Sequence, residues 1–444
     1  MDYPPLSQAR DNLNVQWYRC PMPPEVFRAL SQRSDLHGWK QAGGHLALFV
    51  ATGGLVWLFW AQEQWVAFAL ALFFHGTVGS FFSGTAPHEL GHGTVFRTKA
   101  LNKIFLYAFS LLSWWNPFDY AASHTYHHRF TLHPEGDREN LLPLHPNTDK
   151  LFLLQLFTIN LMTQPGRTFG KGGLISTLRE TVLHAFGRVG STDISSNEWL
   201  DSLHKDQPDQ HRRAVQWSRL LLVFHGGLFV LAWVTGLWIL PIIFSLFNFI
   251  GNWLGYFLGL PQHCGLRENV PDFRKTVRSM RLHPVLEFLY WHMNWHTEHH
   301  MYAGVPCYNL KKLHQAVKDD MPEPRSLTGA WREMLEIWER QKREPGYQFD
   351  TPLPATAQTQ RKRAAVAEEA SIGDLAQRGC AKAGRPVLLH VLPKWTLVWR
   401  VEHPLILNLE HVFGLTCHKA GTRSRHARPN LVLRAAVAAG HLKT

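Results

Sequence analysis

Apolar and polar positions are sharply segregated along this chain. Residues 43–61 (GGHLALFVATGGLVWLFWA) and 64–86 (QWVAFALALFFHGTVGSFFSGTA) form two apolar runs separated only by Gln62 and Glu63. A second pair, 217–235 and 237–260, repeats the plan much later with almost no polar connector. Each run is long enough for a helix to cross a hydrocarbon core about 30 Å thick. The pattern predicts an all-α integral membrane protein with four transmembrane helices arranged as two hairpins. Two further apolar stretches, 101–118 and 151–163, are too short to span and are expected to be interfacial or buried helices.

Charge orients the predicted spans. Both tight turns lack Lys and Arg, whereas the N-terminal segment, the 87–216 region and everything after Pro261 are rich in them. By the positive-inside rule both termini and the large middle region face the cytosol, so that a cytosolic helical cap sits beneath a multi-pass membrane domain. Residues 1–41 read as an N-terminal cytosolic segment without the apolar core of a cleavable signal, and 42–350 as the membrane domain. Residues 351–444 open on a Pro/Ala/Gln-rich linker and end in a basic stretch, the composition of a disordered tail with weak lipid contact. The net charge of +12 suits nucleic acid in principle. With 18 Trp and 27 Phe in the chain, anionic lipid headgroups or an acidic redox partner are the better match, and no nucleic-acid partner is expected. The five cysteines are scattered, with no C-x-x-C pair, which excludes a disulfide framework and a zinc ribbon.

The candidate chemistry lies in the 27 histidines. His88 and His92 follow the second apolar run, His124, His127 and His128 lie in "SHTYHH", and His296, His299 and His300 lie in "WHTEHH" after the fourth run. Each group uses i, i+3 or i+4 spacing, which brings imidazoles to one face of a helix. All fall at predicted cytosolic ends, where they can converge. Eight imidazoles exceed what one transition metal holds, but two ions sharing them keep open positions for catalysis. Imidazole suits iron, copper and zinc alike, so the ligand type does not select the metal.

The first group also reads H-E-x-x-H, the pattern of zinc proteases. That chemistry needs one further ligand and has no use for two H-x-x-H-H boxes. Val95 and Thr98 stand where the extended protease motif has glycine and histidine. Glu89 is therefore read as a carboxylate that orients a ligand, not as a general base.

The order H-x3-H, H-x2-H-H, H-x2-H-H around two hairpins resembles the membrane fatty acid desaturase and hydroxylase superfamily over roughly residues 43–325. The stretches "HGTVFRTKALN" and "HTYHHRFTLHPEGDRE" are similar to that family around its first two boxes. The resemblance implies that His88, His92, His124, His127, His128, His296, His299 and His300 bind two iron ions. It adds His263, in "LPQHCG", at the position of the family's additional ligand. It further implies dioxygen as co-substrate, a membrane lipid as substrate, and two external electrons per turnover. With no H-P-G-G haem signature and no G-x-G-x-x-G fingerprint in the chain, the donor is expected to be a separate b-type cytochrome or ferredoxin on the basic face. Desaturation of an acyl chain and hydroxylation of an alkyl chain, carotenoid or small molecule both remain open. A non-enzymatic metal-binding or transport protein is the distant alternative, disfavoured because the histidines gather at one end of the bundle.

Other residues are assigned lesser roles. His133 and His292 are read as neighbours of the ligands or plain surface groups. His75 and His225 fall inside predicted spans and are left out of the site. Asp137 and Arg138 can position ligands, although a solvated turn is the ordinary reading of "PEGDRE". Trp114, Trp115, Trp291 and Trp295 are expected near the boxes, around the substrate.

Overall fold

The computed structural model describes residues 3–140, 144–162, 172–189 and 194–357. The predicted disordered tail lies outside the described residues from 358 onward. Among the described residues, three helices are long and apolar enough to cross a membrane: Asp35–Ala61, Trp65–Gly91 and Pro208–Thr235. Their outward faces carry Val50, Val66, Phe74, Val223 and Trp233, all exposed. Exposed apolar side chains along a spanning-length helix suit contact with lipid. Glu63, with φ +56°, turns the chain between the first two, and Trp60, Trp65 and Phe68 cluster around that turn.

The inward faces are aromatic. Phe82 stacks on Phe109 with ring centroids 4.1 Å apart, and Phe49 packs against Phe82 and Phe247, 4.8 Å from each. Phe109 belongs to Lys99–Leu112, a helix that buries Asn102, Phe105, Phe109 and Ser110 on one side. His45, His75 and His225, buried within the spans, bond to neighbouring segments. Trp291 Nε1 donates to His45 Nδ1 at 2.9 Å while His45 Nε2 donates to the Val78 carbonyl at 3.0 Å. His75 and His225 reach the Ile243 and Leu111 carbonyls at 3.1 and 2.9 Å. Each histidine thus ties segments of the bundle together, and His75 and His225 belong to neither histidine group.

The fourth apolar run does not form the expected helix. Residues 237–260 give only a short apolar helix over Ile239–Phe249, which passes into π- and 3-10-type turns, and after a break a helix resumes at Trp253–Gly259. The physical reason is at the break. Ile250 is extended, Gly251 takes φ +57°, and the backbone bonds of the Phe249 carbonyl and Gly251 N–H go sideways. Asn160 N–H donates to the Phe249 carbonyl at 2.7 Å and Gly251 N–H to the Thr158 carbonyl at 2.9 Å. Residues just past the helix Lys150–Phe157 thereby supply partners that a continuous helix would have found internally. The break also needs a neighbour without a side chain, because a Cβ on Gly76 would meet the Ile250 carbonyl oxygen at 1.7 Å. Gly76→Ala is expected to lower stability by about 1–3 kcal/mol or more, since backbone must move to admit the methyl. Thermal unfolding in detergent checks this, with Gly54→Ala, where a Cβ meets nothing within 4 Å, as the neutral comparison.

Beneath these helices lie the elements that carry the boxes. Pro117–Phe130 starts at Asn116, whose side chain accepts from Phe118 and Asp119 N–H, with Pro117 in the first turn. It ends where Leu132 takes φ +55°. The third box forms the short helix His296–Met301. A two-residue parallel pair, Met280–Arg281 with Arg325–Ser326, lies close to it in space, where Thr297 N–H donates to Ser279 Oγ. The N-terminal segment is fastened by a buried network in which Arg274 binds Asp272 and Asp320, at 2.9 and 2.7 Å, and Tyr18 donates to Asp320.

Candidate metal centre

The nine sequence-predicted histidines all meet, in two groups. His88, His92, His124, His128 and His299 form one; His127, His263, His296 and His300 form the other, and within each the ligand nitrogens lie within 4.8 Å of one another. His92 and His128 are partly buried and the other seven are buried. The expectation that each box presents one face needs refinement. The i, i+4 pairs His88/His92, His124/His128 and His296/His300 stay together, whereas His127 and His299 cross to the other group. Adjacent residues on a helix point about 100° apart, so every H-H pair is divided between the two groups.

The fit to a metal can be tested through the tautomers. His263 Nδ1 lies 3.1 Å from the Thr276 carbonyl, which only accepts, so Nδ1 carries the proton and Nε2 is bare. Thr131 spends its hydroxyl proton on the His127 carbonyl at 2.6 Å, so its oxygen accepts from His300 Nδ1 at 3.1 Å. His127 Nδ1 lies 2.8 Å from Asp137 Oδ2. Bare nitrogens on His263 and His300 therefore each face His296 Nε2 at 3.1 Å. In the other group, Nε2 of His92 is 3.3 Å from that of His124, and Nε2 of His128 is 3.2 Å from that of His299. His88 Nδ1 is held by Glu89 Oε1 at 3.0 Å, while its buried Nε2 has no hydrogen-bond partner among the described residues. Metal–imidazole bonds of about 2.0–2.1 Å put cis nitrogens about 3.0–3.4 Å apart. The observed spacings match, and the bare nitrogens of His263 and His300 suit a cation.

Electrostatics point the same way. Burial, then the neighbouring imidazoles, push His124, His128, His296, His299 and His300 well below the ordinary histidine range. Burial lowers His92 to about 4, and burial with the nearby His127 lowers His263 to about 3. Neutral imidazole is the form that ligates. His127 is the exception: burial alone would lower it, but Asp137 and Glu139 raise it to about 9. A metal on its Nε2 would displace that proton and leave the Nδ1–H bond to Asp137 in place.

Several residues around the ligands were weighted differently from the sequence. Asp137 is buried, not a solvated turn, and accepts from Leu132 and Glu139 N–H as well as facing His127. Glu89 lies against His88 and 3.4 Å from His299 Nδ1, in the orienting position expected of it. Arg138 instead pairs with Glu198 at 2.8 Å. Among the described residues the His133 side chain approaches the site through the Thr131 carbonyl, at 3.0 Å from its Nδ1, and its carbonyl accepts from Asp137 N–H at 2.8 Å; His292 belongs to neither histidine group. Tyr120, Glu139, Thr131 and Thr276 were missed; the first two flank His124 Nδ1 at 3.3 and 3.6 Å. Tyr120 is one helical turn before His124, so the spacing was a usable signal. Of the tryptophans, Trp114 stacks on His225 and donates to the Ser245 carbonyl, and Trp291 is committed to His45.

The fatty acid desaturase family profile matches residues 63–330, more than half the chain and all nine histidines. The chain therefore belongs to the fatty acid desaturase family. A search among curated proteins returned no match.

Proposed function

We propose that this protein is a membrane di-iron oxidoreductase that uses dioxygen and two external electrons to desaturate a lipid acyl chain. The observation that supports it most is the convergence of nine imidazoles as two groups of five and four, with the bare nitrogens of His263 and His300 both directed at His296 Nε2. His88, His92, His124, His128 and His299 would hold one iron, and His127, His263, His296 and His300 the other. Bound there, the irons supply activation of dioxygen and removal of hydrogen from an unactivated C–H bond.

The chain's own residues prepare that chemistry. Asp137, Thr131 and the Thr276 carbonyl fix the ring orientation and protonation of three ligands. Glu89 lies between His88 and His299. Burial of the ligands excludes the water that would divert an oxidant. Lipid reaches such a site by lateral diffusion, which fits its position at the end of the Trp65–Gly91 helix. Electrons come from a separate b-type cytochrome or ferredoxin on the cytosolic side, where we also place both termini.

The test pairs metal analysis of detergent-purified protein with lipid profiles of cells that have or lack the chain. Two irons per chain and a chain-dependent double bond are expected. A new hydroxyl instead would make it a hydroxylase of the same superfamily. Bound metal with no lipid product would leave a metal-binding protein, and active protein with zinc and no iron would bring back the protease.

A further inference from the structure

The third box contains a carboxylate that the nine-histidine set does not use. Glu298 stands between His296 and His299 on the helix His296–Met301 and is buried. Its Oε1 accepts from His314 Nδ1 at 2.6 Å and its Oε2 from Ser279 Oγ at 2.5 Å. Ser279 Oγ accepts in turn from Thr297 N–H at 3.0 Å, and the Thr297 hydroxyl donates to the Val277 carbonyl at 3.1 Å. The Trp295 ring lies over His314, centroids 4.7 Å apart. His314 itself is buried on the neighbouring helix Leu310–Val317.

The helix that needs this anchoring is six residues long, and its N-cap, Trp295, makes no side-chain capping bond. So short a helix has little intrinsic stability, and its rotation about its axis is set by tertiary contacts. A few degrees of rotation would displace His296, His299 and His300 together. Because those three serve both groups, one anchor controls both.

We infer that His314, acting through Glu298, is a positioning residue that sets the rotation of the third-box helix and hence the geometry of both metal sites. The inference rests on the metal-binding reading above. It is distinct from that reading because it concerns residues outside the ligand set.

The test uses the full chain carrying His314→Leu, His314→Asn or Glu298→Gln. Metal per folded chain is read during titration with a graded chelator, alongside the Mössbauer spectrum of iron-57-loaded protein. Leucine removes the donor and strands a buried carboxylate. It is expected to weaken metal retention about 10–100-fold in the folded fraction and to change the spectrum. Asparagine, which keeps an N–H donor near the place of Nδ1, is expected to recover most of the loss. A purely structural role would lower the melting temperature and leave retention and spectrum unchanged, which would overturn the inference. If the leucine variant does not fold, Glu298→Gln decides: weaker retention supports the anchor, and parental retention refutes it. A parent chain that binds no metal would sink the proposed function itself, a separate result.

Discussion

His263→Ala is expected to abolish turnover and to leave about one of two irons bound. His263 is one of four members of its group, and its bare Nε2 faces His296 Nε2 at 3.1 Å. Removing it leaves three imidazoles there while the five-histidine group keeps its full complement. The informative comparison is His133→Ala. Among the described residues the His133 side chain meets the Thr131 carbonyl on the ligand side, so its loss should reduce turnover without removing an iron. Iron content and product formation, measured on the same preparations, check both. A His263→Ala protein with two irons and parental turnover would take the residue out of the site.

Asp137→Asn is expected to have the next largest effect. One carboxylate here orients His127 at 2.8 Å and accepts from Leu132 and Glu139 N–H, each at 3.0 Å. An amide turns an N–H toward groups that are themselves donors, so at least one bond becomes a clash between donors. Iron affinity at the four-histidine group should fall about 10–100-fold, with turnover falling in parallel. Arg138→Ala, one residue away but engaged with Glu198, should leave iron retention unchanged. Chelator titration of the two variants separates the outcomes, and equal retention in both would remove the orienting role from Asp137.

The histidines were legible because helical spacing is a strong one-dimensional signal. An i, i+4 pair such as His124/His128 has to lie on one face, and it does. The crossing of His127 and His299 to the other group follows from the same helical geometry but matters only once a second group is in place opposite. Asp137 was harder to weigh. A stretch such as "PEGDRE" has turn composition whether it faces solvent or a buried imidazole, and the difference lies in contacts distant in sequence. The broken fourth run was illegible for the same reason. Its hydropathy matches that of a span, but Phe249, Ile250 and Gly251 answer to Asn160, Gly76 and Thr158, more than 80 residues away in sequence. Apolar composition sets where a segment can reside and leaves its backbone path to its neighbours.

The division of the H-H pairs has a consequence for biosynthesis. By the time a ribosome has completed residue 128, four members of the five-histidine group exist: His88, His92, His124 and His128. The fifth, His299, is 171 residues further along. The other group at that moment has only His127. Neither site can close before the third box emerges, and when it does, one short helix completes both. On the metal-binding reading, both ligand sets are complete only after nearly all the chain that surrounds the centre has been made. A nascent or truncated product carries exposed imidazoles and no finished oxidation centre.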